Sequence, residues 1–239
     1  MHPRTVGCPP RPTPLSLSSA FHANAVQRPR RAHAFTLIEL LVVIAIIAIL
    51  IGFFVPTLFG IFERAKKVQA KNDLTQIVNA VNGFYTEYGK YPTTQTSDYI
   101  YGATTVNVTT TGPANTTNDF LFNELRACTA TQPSCPNPAS LNTRQIVYIS
   151  PRVLGTAPAR SGIGSDGQFY DPWQTPYNVE IDGDYTNNIT ANPYGNDNGA
   201  GPSPLPQGVI SWSLGKDRAL GTAGTSTSFT NSDDVISWQ

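Results

Sequence analysis

The chain has 239 residues, room for one domain or slightly more, and its 16 basic and 16 acidic residues cancel. That balance argues against a nucleic-acid binder, and an apolar content of 40% excludes a chain disordered from end to end. Charged residues reach only 13%, against ~25% in ordinary soluble domains, while 19 Gly and 20 Pro suit a loop-rich β or α+β domain joined to something apolar.

The charges are unevenly spread. Residues 1–34 hold Arg4, Arg11, Arg28, Arg30, Arg31 and all three histidines, with no acidic residue, which leaves 11 basic against 16 acidic residues for the remainder. From Leu40 to Phe62 nothing is charged. As a helix this run spans roughly 34 Å, enough for a ~30 Å hydrocarbon core. It exceeds the ~7–15 residues of a signal-peptide apolar region, and the small-residue triplet Ala32-His33-Ala34 precedes it instead of following it. Arg28, Arg30 and Arg31 predict a cytoplasmic N-terminus and an extracytoplasmic C-terminal domain, although Lys66, Lys67 and Lys71 weaken the asymmetry.

One carboxylate, Glu39, sits at the start of this stretch. An unpaired acid deep in a bilayer costs about 2.5–3.5 kcal/mol, so it has either a shallow position or a purpose. The residues Ala34-Phe35-Thr36-Leu37-Ile38-Glu39 resemble the processing site of type IV pilin-like proteins, in which a small residue precedes Phe and Glu is fifth in the mature chain. The resemblance implies cleavage between Ala34 and Phe35 by a prepilin peptidase, methylation of the new Phe35 amine, and a helix bend at Pro56. A leader of 34 residues is long for that family, and a start at a non-Met codon such as that of Val26 stays open. After cleavage the Phe35 ammonium lies at the edge of the hydrocarbon, where the Glu39 carboxylate of a neighbouring subunit can neutralise it. Each charge alone would be buried and unpaired, which makes the pair a register device for a filament.

Beyond the span, Leu74, Ile77, Val78, Val81, Phe84, Tyr85 and Tyr88 recur at spacings of three and four, one apolar face of an amphipathic helix. The stripe reads as core packing and not as a ligand box. Gly89 and Pro92 stop the helix. The words that follow resemble the major pseudopilin of type II secretion systems. They are Tyr85-Thr86-Glu87-Tyr88-Gly89-Lys90-Tyr91-Pro92-Thr93-Thr94, then Asp171-Pro172-Trp173-Gln174-Thr175-Pro176-Tyr177 with Gln174 in place of the usual glycine, then Ser213-Leu214-Gly215-Lys216-Asp217 and Asp233-Asp234-Val235-Ile236-Ser237-Trp238.

The middle of the chain departs from that pattern. Residues 93–118 are rich in Thr and Asn and read as a polar loop or short hairpin. Asn118 to Arg126 reads as a short helix capped by Asn118, with Phe120, Leu121 and Leu125 inward. Strands are expected over 145–150, 176–181, 208–214 and 235–238. The fold class is therefore α+β, type IV pilin-like: a long N-terminal helix on a small antiparallel sheet, followed by a loop-rich C-terminal region. Its parts are a leader (1–34), a transmembrane segment (35–62), the helix continuation and turn (63–92) and a globular domain (93–239). Sequons at Asn107, Asn115 and Asn188 are accidental matches in Thr/Asn-rich loops.

Cys8 leaves with the leader, so Cys128 and Cys135 remain, as a disulfide in an extracytoplasmic compartment or as two buried thiols. With no histidine after residue 34 and no second Cys pair, zinc is not expected, and calcium is the credible metal. The pseudopilin resemblance implies a calcium site in the C-terminal loop, built from Asp217, Asp234, neighbouring Asp233 and main-chain groups such as that of Leu214. A longer Thr/Ser-rich loop between these aspartates leaves simple surface carboxylates as the alternative. Asp182-Gly183-Asp184 resembles a fragment of a calcium loop but lacks the rest of that spacing, and reads as a turn. Catalytic motifs of the Ser-His, Cys-His or phosphate-loop kinds are missing, so no enzyme is expected.

The resemblance implies a single-pass inner-membrane precursor whose processed form polymerises into a periplasmic pseudopilus for protein export, with minor pseudopilins and an inner-membrane assembly platform as partners. The alternatives are a type IV pilin of a surface filament for adhesion, motility or DNA uptake, and a membrane-anchored periplasmic binding domain.

Overall fold

The computed structural model describes residues 36–102, 117–132, 134–154, 160–195, 197, 199–221 and 228–239, with only the backbone described for 55–59. By its internal contacts the chain divides into a unit ending at Leu50 and a unit from Ile51 onward. The cleavage residues Ala34 and Phe35, the sequons at Asn107 and Asn115, and the side chain of Pro56 with its expected bend lie outside the described residues.

The first unit is the beginning of helix α1 (Leu37–Tyr88). Its start has a local cause. Thr36 N–H and Oγ1 both donate to Glu39 Oε2, at 3.0 and 3.1 Å, while Glu39 N–H donates back to Thr36 Oγ1 at 3.3 Å. This reciprocal capping box satisfies donors that the first helical turn leaves unpaired.

The second unit carries the rest of α1, a short helix and six short strands. Ala70, Leu74, Ile77, Ala80, Val81 and Phe84 are buried along one face of α1, Val78 and Tyr88 pack against them in part, and Tyr85 stays 40% exposed. The helix ends at Gly89, whose φ of +66° is a left-handed conformation suited to glycine and whose N–H donates to Tyr85 O at 2.8 Å.

The strands are β1 (Tyr99–Tyr101), β2 (Gly162–Ile163), β3 (Phe169–Tyr170), β4 (Asn178–Ile181), β5 (Val209–Ser213) and β6 (Val235–Ile236). Four of them form an antiparallel sheet in the order β1-β4-β5-β6, and β2 and β3 pair separately. The pleat sends Tyr99, Tyr101, Val179, Ile181, Val209 and Val235 into the core shared with α1. Ile210, Trp212 and Ile236 point to the other face, where Ile189, Tyr194, Leu205 and Leu214 cover them. With both faces covered, β4 and β5 are buried at every position.

Three expectations are corrected. Residues 145–150 form no strand: Tyr148 and Ile149 N–H both donate to Leu125 O, at the C-terminus of α2 (Asp119–Leu125), so the segment's donors serve a helix end and not a ladder. The polar stretch after Thr93 contains β1, which pairs with β4 through Tyr101↔Val179. Asn118 precedes α2 but makes no capping bond. Its buried amide instead donates to Phe169 O and Tyr177 O and accepts from Phe169 N–H, tying the helix start to β3.

Candidate assembly and cation sites

In the first unit the candidate site is an apolar helix surface with one acid at its start. Every described residue from Thr36 to Phe54 is exposed, and the window Leu37–Phe54 has a mean hydropathy of 3.1. Eighteen such residues are long and apolar enough to cross a membrane. Glu39 lies in the first helical turn, where a carboxylate also favours the helix dipole. The signal for its local partner was present in the spacing Thr36-Leu37-Ile38-Glu39 and was missed in favour of an intersubunit role alone.

In the second unit, the C-terminal acidic residues come together. Asp217, Asp233 and Asp234 place one carboxylate oxygen each within 4.8 Å of the others. The turn after β5 arranges this: Leu214 is buried at the strand exit, and Gly215 takes a φ of +64°. A Cβ at Gly215 would meet Asp233 O at 2.6 Å, so the two loop segments touch through backbone. Asp233 Oδ2 accepts from Lys216 N–H at 2.5 Å and Asp217 N–H at 3.2 Å, and Asp217 Oδ1 accepts from Ala219 N–H.

Asp234 is 6% exposed; its Oδ2 accepts from Gly221 N–H at 2.7 Å, while its buried Oδ1 has no hydrogen-bond partner. Burial pushes its carboxyl up to about 7, opposed by the Gly221 bond and by the Tyr194 hydroxyl beside it and helped by the charges of Asp233 and Asp217. A buried, half-satisfied carboxylate beside two others lacks a counter-charge. Hard oxygens in that density suit a calcium-like ion. Gly224, in the loop between the aspartates, lies outside the described residues.

Two further features brace the domain. Cys128 and Cys135 are joined by a disulfide that closes a short loop after α2. Asp171 is fully buried and closes the turn after β3, accepting from Trp173 and Thr175 N–H through Oδ1 and from Ser213 Oγ through Oδ2. Within that turn Gln174 has a φ of +72°, which explains why glycine suits this position. Trp173 in turn donates its ring N–H to Glu63 of α1 and accepts from Arg218 at its carbonyl.

A second acidic cluster lies outside the sequence expectations: Asp98 joins Asp182 and Asp184, again with one oxygen each within 4.8 Å. The Asp182-Gly183-Asp184 fragment was visible in the sequence. Its third member lies 84 residues upstream and is brought there by strand pairing.

Residues 29–55 match the family model described as the prokaryotic N-terminal methylation motif. Over 66 residues the chain is 39% identical to the type II secretion system core protein G of Aeromonas hydrophila, covering 28% of this chain and 46% of that protein. The core protein G of Vibrio cholerae is 36% identical over 69 residues, 29% of this chain and 47% of its own length. The type IV major pilin protein PilA of Myxococcus xanthus is 38% identical over 61 residues, 26% of this chain and 28% of its own. Each match therefore spans less than half of the relative concerned. No solved structure matches the chain.

The methylation motif, the long apolar-headed helix and the antiparallel sheet make this chain a type IV pilin-like protein of α+β fold. Within that class it is a pseudopilin or a type IV pilin, and its similarity is to core protein G of type II secretion as well as to a major pilin.

Proposed function

We propose that the chain is a structural subunit of a type II secretion pseudopilus, made as a single-pass inner-membrane precursor with its N-terminus in the cytoplasm and its domain in the periplasm. A prepilin peptidase cuts between Ala34 and Phe35 and methylates Phe35, and the processed chains polymerise through their N-terminal helices. Minor pseudopilins and an inner-membrane assembly platform are the other partners, and the role is mechanical, not catalytic. The observation that carries this reading is the apolar helix Leu37–Phe54, exposed at every position and headed by Glu39. Such a surface needs lipid before assembly and neighbouring helices after it.

Glu39 has two jobs in this scheme. It caps its own helix through Thr36, and its remaining lone pairs receive the Phe35 ammonium of a neighbour. The two are separable, because Glu39→Gln keeps the capping geometry and removes the charge. Both Glu39→Ala and Glu39→Gln are expected to be inserted and processed but to yield no filaments. Normal assembly of Glu39→Gln would leave only the capping role. N-terminal sequencing of protein from its host should begin at an N-methylated Phe35; an unprocessed N-terminus overturns the filament reading in favour of a membrane-anchored domain.

Similarity to the Myxococcus xanthus pilin favours a second reading, a type IV pilin of a surface filament. A strain lacking the chain decides between them: retention of exported proteins in the periplasm supports the pseudopilus, and loss of sheared surface filaments supports the pilin.

Calcium in the C-terminal loop, held by Asp217, Asp233, Asp234 and the Leu214 carbonyl, completes the proposal. The unpartnered Asp234 Oδ1 supports it. Calcium is expected to raise the melting temperature and chelator to lower it; identical melting in both would sink the site.

A further inference from the structure

The register of β1 on β4 places an acid pair at the sheet edge. Tyr99 faces Ile181 and Ile100 faces Glu180, so Asp98 and Asp182 stand at the next step of the same ladder. Asp182 is fully buried, and its N–H is anchored on Gly208 O at 3.0 Å. The chain then turns through Gly183 so tightly over the neighbouring segment that a Cβ there would lie 2.1 Å from Ser97 O. This clasp brings the exposed Asp184 back beside Asp98 and Asp182.

Backbone N–H groups donate to each of these three carboxylates, and Asp182 and Asp184 also hydrogen-bond through their side chains. Thr190 donates to Asp98 Oδ2 at 2.8 Å, Thr186 to Asp182 Oδ1 and Asp184 Oδ1, and Asn187 to Asp182 Oδ2 at 2.6 Å. Asp98 Oδ1 is buried with no partner. Among the described residues the ion pairs are Lys66–Glu63 and Arg144–Glu87, and neither involves this cluster.

An independent observation comes from beneath it. Glu180 lies two residues before Asp182 on the same face of β4, is 1% exposed, and has no hydrogen-bond partner at Oε2. Asp98 is the charged group that acts on it. A buried carboxylate with an unpaired oxygen, two residues along β4 from Asp182 and acted on by the charge of Asp98, is short of positive charge.

We propose that Asp98, Asp182 and Asp184, with Glu180 beneath them, form a second divalent-cation site that is separate from the C-terminal aspartates. Its occupant is a hard ion of the calcium class, since carboxylates from two chain segments at unequal depths suit flexible oxygen coordination better than the strict octahedron of magnesium. Binding clasps the start of β1 to the loop leaving β4. That loop carries Tyr185, which stacks on Tyr91 with ring centroids 5.5 Å apart and accepts Tyr91 N–H at 3.2 Å. The ion thereby locks the loop over the residues that follow the end of α1.

The test is calcium chloride titrated calorimetrically into the full chain in detergent micelles after chelator treatment. The double variant Asp98→Asn/Asp184→Asn should lose one bound ion per chain relative to the wild type. The triple variant Asp217→Asn/Asp233→Asn/Asp234→Asn should keep that ion. Asp184→Asn alone changes an exposed side chain, so it tests the site without risk to folding, and it should weaken the same binding event at least tenfold. Unchanged stoichiometry and affinity in both Asp98→Asn/Asp184→Asn and Asp184→Asn overturn the proposal. A triple variant that binds as many ions as the wild type overturns the C-terminal site and leaves this one standing.

Discussion

The two ends of α1 use similar apolar residues for opposite ends. From Leu37 to Phe54 they occupy all sides of the helix and all are exposed, whereas Leu74, Ile77, Val81 and Phe84 are fully buried on one face. The later part carries Lys66, Lys67, Lys71 and Asp73, which the window Leu37–Phe54 lacks apart from Glu39. An all-round apolar helix has no preferred side and must find its solvent outside the chain, while a striped helix buries its stripe on its own domain. The difference separates residues that serve stability from residues that serve assembly.

The sharpest way to break that distinction is a pair of truncations measured by denaturant unfolding of the full chain in micelles. Phe84→Ala should cost about 3–5 kcal/mol, the usual loss for deleting a buried aromatic ring. Ile44→Ala should leave domain unfolding unchanged and act on filament yield instead. Equal destabilisation by the two would erase the comparison.

Acidic residues extend it. Glu39 is exposed at the head of α1 with Thr36 as its hydrogen-bond partner, whereas buried Glu124 accepts from Ser140 N–H and Oγ, Leu141 N–H and Asn142 N–H. Removing it with Glu124→Ala strands four donors and should cost about 3 kcal/mol of domain stability, read as a lower denaturant midpoint. Glu39→Ala should move that midpoint not at all.

A smaller effect comes from Asp234 when calcium is withheld. Its folded-state value of about 7 lies above that of the unfolded chain, so the folded form holds a proton that the unfolded form has released. Stability in chelator is therefore full below the usual carboxylate range and falls as pH rises towards 7, by on the order of 2 kcal/mol once solvent screening is allowed for. Calcium should flatten this slope, and Asp234→Asn should lessen it to the part that the burial-raised carboxyls of Asp73, Asp171, Asp182 and Glu180 contribute in the same direction. A stability that rises over the same window would show that Asp234 is not the controlling group.

The smallest predicted change is a gain. Gln174 holds a left-handed φ of +72°, and Gln174→Gly relieves that strain at some cost in chain entropy, for a net increase of about 0.5–1 kcal/mol. A lower melting temperature would mean that the Gln174 side chain contributes more than its backbone costs.

How much was legible followed the distance over which each feature is decided. The long helix, its stop at Gly89 and the strands around 178–181, 209–213 and 235–236 were visible because periodicity and turn residues act within a few positions. The stretch 145–150 misled because its β-branched and aromatic residues fit a strand while its donors found Leu125 O. Asn118 has the composition of a cap, yet tertiary neighbours at Phe169 and Tyr177 outcompeted the helix end for its amide.

By itself, then, the sequence determined the uncharged span, the Ala34-Phe35 junction with Glu39, the α+β class and the gathering of acids near the C-terminus. All of these rest on neighbours in the chain. Only the tertiary structure decided which carboxylates share a site, because Asp98 reaches Asp182 and Asp184 through the β1–β4 register and Asp217 reaches Asp233 and Asp234 across the turn at Gly215. Pairing of strands sets the first of these distances, and a single-residue slip of β1 on β4 would turn Asp98 away from Asp182.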